Sequence, residues 1–326
     1  PNHGKGTDKE RAQERINTPR LMKKNALARG VLFWALAPRA VFSSTSQACK
    51  ATKMNPFIRN LRYIPNSKLA VSEPNPAWFG NPANADDKKW TNKNWLKSRF
   101  HFSFAEYNND ANTNFGVLRV MNDDLVQAKR GFGEHPHRNA EICTYVVHGQ
   151  LTHQDSMGTK ESLGKGSIQF MTAGTGVRHS EHNLHEEPLR FIQMWLTPKA
   201  GGLKPNYGSM CGSKIDTKNK LGHLVSSTDT QAETPVKINC DANIHVAELQ
   251  DEKNSVDLEL GEDRQAYFLS VEGTPTVSGD FGTQKFQQHD AAELYGGGKI
   301  KITGPGHVLI VEMAKDGKGG RGDLDG

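Results

Sequence analysis

Apolar and polar residues change places in short runs along most of this chain, and long stretches with the helical period of about 3.6 residues are absent. Runs rich in β-branched and aromatic side chains fall at 57–64, 100–104, 115–120, 142–147, 167–171 and 191–196. Glycines punctuate them at Gly149, Gly158, Gly164, Gly166, Gly174 and Gly176. A second series occupies 244–249, 255–260, 266–271, 299–303 and 308–313, beyond a Gly, Pro and Ser-rich bridge. Alternation is cleanest at Val256, Leu258 and Leu260, which suits a sheet with one buried face. Short strands with turn signals at regular intervals predict an all-β protein built as two β-barrels in tandem. The expected organisation is a first barrel over 55–200, with a Pro, Asn and Trp-rich insertion at 73–95 placed to cover its mouth. A linker at 201–240, a second barrel at 241–315 and a loose tail at 316–326 complete it.

Residues 1–54 stand apart from this pattern. A basic flank, the apolar run 31–37 and the Ser/Thr-rich run 41–48 read as a disordered or targeting extension. An over-long gene model, with Met54 as the start, is the alternative, so no fold argument uses this segment. The apolar run is seven residues, against the roughly 18–20 needed to cross a bilayer, and a membrane-spanning helix is excluded. Of 326 residues, 35% are hydrophobic and 24% charged, which does not indicate disorder of the whole chain. The formal net charge of +5 resides in residues 1–30, where eight basic side chains meet three acidic ones, leaving 33 of each sign elsewhere. The predicted body therefore lacks the basic stripe that direct nucleic-acid binding calls for. Cys49, Cys143, Cys211 and Cys240 form no C-x-x-C pair, which argues against a thiolate zinc site or a disulfide framework and fits a reducing compartment. The expected location is the cytoplasm, or the nucleus or an organelle if the extension is a targeting signal.

Candidate chemistry lies in the histidines. Seven of thirteen (His135, His137, His148, His153, His179, His182, His185) fall within 135–185. His135-Pro-His137 and His179-Ser-Glu181 each place two donors two residues apart, and on a strand such residues share a face. On neighbouring barrel strands the two pairs would aim three imidazoles and a carboxylate at one interior point, a metal site. Such a site with open positions favours non-haem Fe(II) oxygen chemistry, although imidazole also suits Ni, Cu and Zn. A structural zinc would instead fill its tetrahedron. His148, His182 and His185 lack a partner at ligand spacing and are expected on loops or the surface, whereas His153 is the candidate for supporting a ligand from behind.

Gly131-Phe-Gly-Glu-His-Pro-His137, Glu141, Gln154-Asp-Ser-Met-Gly158 and Met171-Thr-Ala-Gly-Thr-Gly-Val-Arg-His-Ser-Glu181 closely resemble the pirin family of bicupins, in particular its quercetin 2,3-dioxygenase type. Phe102-Ser-Phe-Ala105, Leu118-Arg-Val-Met-Asn-Asp-Asp124 and Gln193-Met-Trp-Leu196 extend the likeness, which spans about 95–315 and is strongest to 200. The resemblance implies two cupin jelly-roll barrels, of which the first alone holds metal, usually iron, through His135, His137, His179 and Glu181, with Co and Mn as further alternatives. Glu141 matches a ligand of the wider cupin pattern but is expected to be structural here. No His-x-His occurs in the second half, where His289 and His307 lie far apart, so a second metal site is not expected. The implied activity is cleavage of a flavonol with O2 and release of CO, with Glu181 as the base for the 3-hydroxyl. The competing implication is an iron-dependent redox-sensing protein that modulates transcription factors through a protein contact.

Overall fold

The computed structural model describes residues 60–83 and 94–315; the expectations for 1–54, for the middle of the insertion and for 316–326 lie outside these residues. Among the described residues the regular structure is strand, interrupted only by three short 3-10 turns. Four sheets form two jelly-roll barrels, each made of one seven-stranded and one four-stranded sheet. In the first barrel the large sheet runs, in spatial order, Asn206–Met210, Ile168–Thr172, Glu141–His148, Leu189–Leu196, Leu118–Val126, Leu96–Phe100 and Ala70–Ser72. Its small sheet runs Arg130–His137, Val177–Asn183, Gln150–Asp155 and Lys160–Gly164. The second barrel pairs a large sheet centred on Arg264–Gly273, Gly306–Ala314 and Ala242–Leu249 with a small one containing Ser255–Leu260 and Gly298–Thr303.

The two large sheets pack on each other through a shared core. Cys143, Tyr145, Ile192 and Met194 from the first barrel meet Tyr267, Leu269, Leu309 and Val311 from the second. The alternate residues face the barrel interiors, as Val146 does with Leu151 and Leu163 of the small sheet. Central strands such as Glu141–His148 are thus covered on both faces, which is why burial runs unbroken from Glu141 to Val147 and the apolar residues do not alternate with exposed ones. Ser255–Leu260, with one face in solvent, keeps the strict alternation read from its sequence.

Three details differ from the sequence expectation. Asn60–Ile64 is a strand, but it pairs with Ala291–Tyr295 at the edge of the second barrel's large sheet. Arg62 binds Glu293, Tyr63 donates a 2.5 Å hydrogen bond to Asp290, and Leu61 and Tyr63 pack on the second core. The expected linker contributes Asn206–Met210 to the first barrel and Gly222–Ser227 and Val236–Ile238 to the second. The run at 100–104 ends its strand at Phe100; the Asn112 side chain then holds the carbonyl of His101, and Ala105 adopts φ +47° as the chain turns away.

Candidate metal centre

The site is built on the small sheet of the first barrel. His135 and His137 lie on Arg130–His137, and His179 and Glu181 on the adjacent antiparallel strand Val177–Asn183, in a register that sets His179 opposite His135. A β-bulge between His179 and Glu181 puts Glu181 opposite Phe132. On its other side Glu181 lies across from His153. Gly131 allows these two strands their close approach, because a Cβ there would lie 2.4 Å from the carbonyl oxygen of Glu181. Gly174 turns the chain into the second motif at φ +48°, where a Cβ would meet the Leu203 carbonyl at 1.9 Å.

His135, His137 and His179 each present a ring nitrogen to one point, with these atoms within 4.8 Å of one another. His135 Nε2 and His179 Nε2 are 3.1 Å apart. His135 Nδ1 donates to the Gly133 carbonyl at 2.8 Å, so its Nε2 carries the lone pair and faces inward. Burial lowers the pKa of all three rings, that of His137 to about 3, so they are neutral donors at physiological pH. Glu181 joins His179 and His153 in a second, overlapping set of donor atoms, also within 4.8 Å of one another. Its Oε2 accepts a 2.6 Å hydrogen bond from Gln193, and Oε1 accepts from Gln169 at 3.2 Å and Thr144 at 3.4 Å. Burial pushes the Glu181 carboxyl up to about 7, with the bonds from Gln193 and Thr144 acting in the opposite direction. Neutral imidazoles gathered around one point beside an oriented carboxyl are a donor set that fits a divalent transition metal.

His153 is more intimate with the centre than its spacing suggested. It is buried, its ring centroid is 5.2 Å from that of His179, and it stacks on Tyr207 at 4.5 Å with Nε2 at 3.2 Å from Asp155. His148 is exposed, while His182 and His185 are half-buried. Glu141 lies away from these donors: it accepts from Thr172 at 3.0 Å and from the backbone N–H of Asn239 at 3.2 Å, tying the first barrel to the approach to the second. His289 and His307 are likewise engaged between the barrels, with Asp123 and Tyr145 respectively.

A cavity of about 390 Å³ opens over the site, with His135, His137, Glu181 and Gln193 among its lining residues. Phe100, Phe104, Phe132 and Trp195 supply aromatic walls. Pro74, Trp78 and Phe79, the described part of the insertion, also line it. The insertion is anchored there by the Trp95 indole N–H, which donates to the Pro74 carbonyl at 2.7 Å, and by Phe79, whose ring meets Trp95 and Phe132 at 5.3 and 5.5 Å.

This arrangement of two tandem jelly-roll barrels with one donor cluster has counterparts among known proteins. Residues 84–196 match the family profile described as Pirin, and residues 224–313 match that of the quercetinase C-terminal cupin domain. A pirin-like protein of Caulobacter vibrioides is 40% identical over 185 residues, 57% of this chain and 79% of that protein. The chain belongs to the pirin family. A quercetin 2,3-dioxygenase of Escherichia coli is 37% identical over 196 residues, 60% of this chain and 82% of that protein. The crystal structure of a bacterial pirin from Escherichia coli in complex with nickel(II) superposes with a TM-score of 0.63 at 28% identity, covering 78% of this chain and all of that one. Among the described residues of this pirin, no helix is long and apolar enough to cross a membrane.

Proposed function

We propose that this pirin is a metal-dependent dioxygenase that opens a flavonol with O2 and releases CO, its metal held by His135, His137, His179 and Glu181. The observation that carries this reading is the donor cluster at the base of an aromatic-walled cavity of about 390 Å³, within the usual range for small-molecule sites. Fe(II) is the proposed metal; when bound, it supplies Lewis acidity toward an ionised substrate hydroxyl and a redox centre for O2. The dioxygenase name of the Escherichia coli relative and the nickel(II) bound by the structural relative support the activity and a divalent transition metal respectively.

The protein's own groups divide the remaining work. Phe100, Phe104, Phe132 and Trp195 offer ring faces and edges that orient a planar substrate. The segment carrying Trp78 and Phe79 narrows the mouth and limits water around the reacting ring. Glu181, fixed by Gln193, accepts the proton of the 3-hydroxyl. The test is aerobic turnover of quercetin by Fe(II)-loaded protein beside a His137→Ala control, following flavonol loss and CO. Metal-dependent release of CO that the control lacks is expected. Absence of turnover in an iron-loaded sample would overturn the enzymatic reading and favour a redox-responsive binding protein. Retention of metal and full turnover by Glu181→Gln would remove Glu181 as the base.

A further inference from the structure

One wall of the cavity carries polar side chains that the metal chemistry leaves unused. Asn122 and Asp124 project from one face of Leu118–Val126, and Ser98 on the neighbouring strand lies directly across the ladder from Asp124. All three line the cavity, with exposures of only 1% for Ser98 and 3% for Asn122 and Asp124. Around them the wall is apolar, formed by Leu96, Phe100 and Phe132. Asn122 Oδ1 and Ser98 Oγ are buried with no hydrogen-bond partner in the protein, two unsatisfied polar atoms in the residues of this wall. Burial raises the Asp124 pKa to about 8 against the lowering effect of its Ser98 neighbour, with the charges of Asp123 and Glu181 adding to the rise, and a neutral carboxyl offers both a donor and an acceptor.

The strip also has a direction. Asn122 lies across the ladder from Gln193, the residue that fixes Glu181, and therefore sits at the metal end of the wall. Asp124 and Ser98 lie two residues farther along, about 7 Å by strand geometry. An aromatic ligand with one hydroxyl directed at the imidazoles would lay other ring substituents along this wall. An apolar ring would leave the polar groups of this wall unmatched, and a site built for hydroxyls discriminates strongly against ligands lacking them.

We propose that Ser98, Asn122 and Asp124 form a hydroxyl-recognition subsite that selects polyhydroxylated aromatic substrates over those bearing only the metal-directed hydroxyl. The inference rests on the flavonol reading above. It is tested by anaerobic equilibrium binding to the full-length, Fe(II)-loaded protein, read by tryptophan fluorescence, with quercetin and with 3-hydroxyflavone, the same ring system carrying the 3-hydroxyl alone. Wild type should bind quercetin at least about tenfold more tightly. Asp124→Leu, which removes both the donor and the acceptor at similar volume, should shrink that preference by roughly five- to tenfold without weakening 3-hydroxyflavone binding, and Ser98→Ala should act in the same direction by less. Thermal unfolding establishes that each variant is folded, and Ser98→Ala alone decides if Asp124→Leu is not. A preference that the variants leave unchanged overturns the subsite and spares the flavonol reading. Binding of neither ligand to wild type overturns both.

Discussion

Glu181 is held by three side chains, Thr144, Gln169 and Gln193, that come from three neighbouring strands of the opposite sheet. The shortest of these bonds, from Gln193 at 2.6 Å, fixes one carboxylate oxygen, and Gln193 Oε1 in turn accepts from the Trp195 indole at 3.2 Å. Gln193→Ala should therefore keep the fold and weaken metal binding by about 10–100-fold, the usual cost of losing a group that orients a ligand, as measured by metal titration. His153 offers a sharper comparison because it shares a donor set with His179 and Glu181. If His135, His137, His179 and Glu181 are the ligands, His153→Ala retains stoichiometric metal by elemental analysis whereas His137→Ala loses it. The reverse result would move the centre to the His153 side of His179. The spacing of the two motifs was enough to single out the three imidazoles, because two-residue steps on adjacent strands must share a face. Thr144, Gln169 and Gln193 carried no such signal, since each stands as an isolated polar residue between apolar neighbours on its strand.

At the level of elements, the strand Arg130–His137, which carries His135 and His137, is an edge of its sheet, and an edge strand needs its free backbone groups satisfied. The Asn81 side chain does this at Gly131, accepting from its N–H at 2.9 Å and donating to its carbonyl at 2.8 Å. The same contact pins the segment carrying Trp78 and Phe79 over the cavity. Asn81→Ala should cost about 1–2 kcal/mol of stability, on the scale of two hydrogen bonds, seen in urea unfolding. It should also speed exchange of the Gly131 amide; an amide as protected as in wild type would show that the contact is not made in solution. The large-sheet strands were legible as apolar runs: 142–147, 191–196 and 308–313 all lie within observed strands. Arg130–His137, Gln150–Asp155 and Lys160–Gly164 gave no comparable hydrophobic signal, because much of their sequence is polar and, in Arg130–His137, includes donors rather than core residues. Partner choice was also invisible for Asn60–Ile64, since alternation marks a strand without naming the sheet it joins.

Across the whole molecule, buried polar groups join the two barrels as much as apolar ones do. Arg190 binds Asp123 through two bonds of 2.8 and 2.7 Å and donates to the Val271 carbonyl of the second barrel at 2.8 Å, while His289 reaches Asp123 at 2.6 Å. Burial raises the Asp123 pKa, but Arg190 and His289 more than offset it and leave the carboxylate well below its ordinary range. Removing the cation with Arg190→Ala should cost about 3–5 kcal/mol, because the partner charge stays buried. His101 meets Tyr267 across the same interface at 3.0 Å, and burial lowers its pKa to about 4. A histidine lowered from about 6.5 contributes nothing to the pH dependence above that value, then destabilises as only the unfolded chain takes up the proton. Stability should fall by roughly 3 kcal/mol from this residue between pH 6.5 and 4. Denaturant unfolding of His101→Gln should show a shallower acid slope than wild type, and equal slopes would contradict the assignment.

The proposed ring-opening activity of the donor cluster beneath the aromatic cavity can be followed by isotope labelling. Fe(II)-loaded protein given quercetin under 18O2 should yield a ring-opened product carrying both atoms of the labelled O2, together with unlabelled CO. An unconsumed flavonol, or a product whose new oxygens come from water, would contradict it.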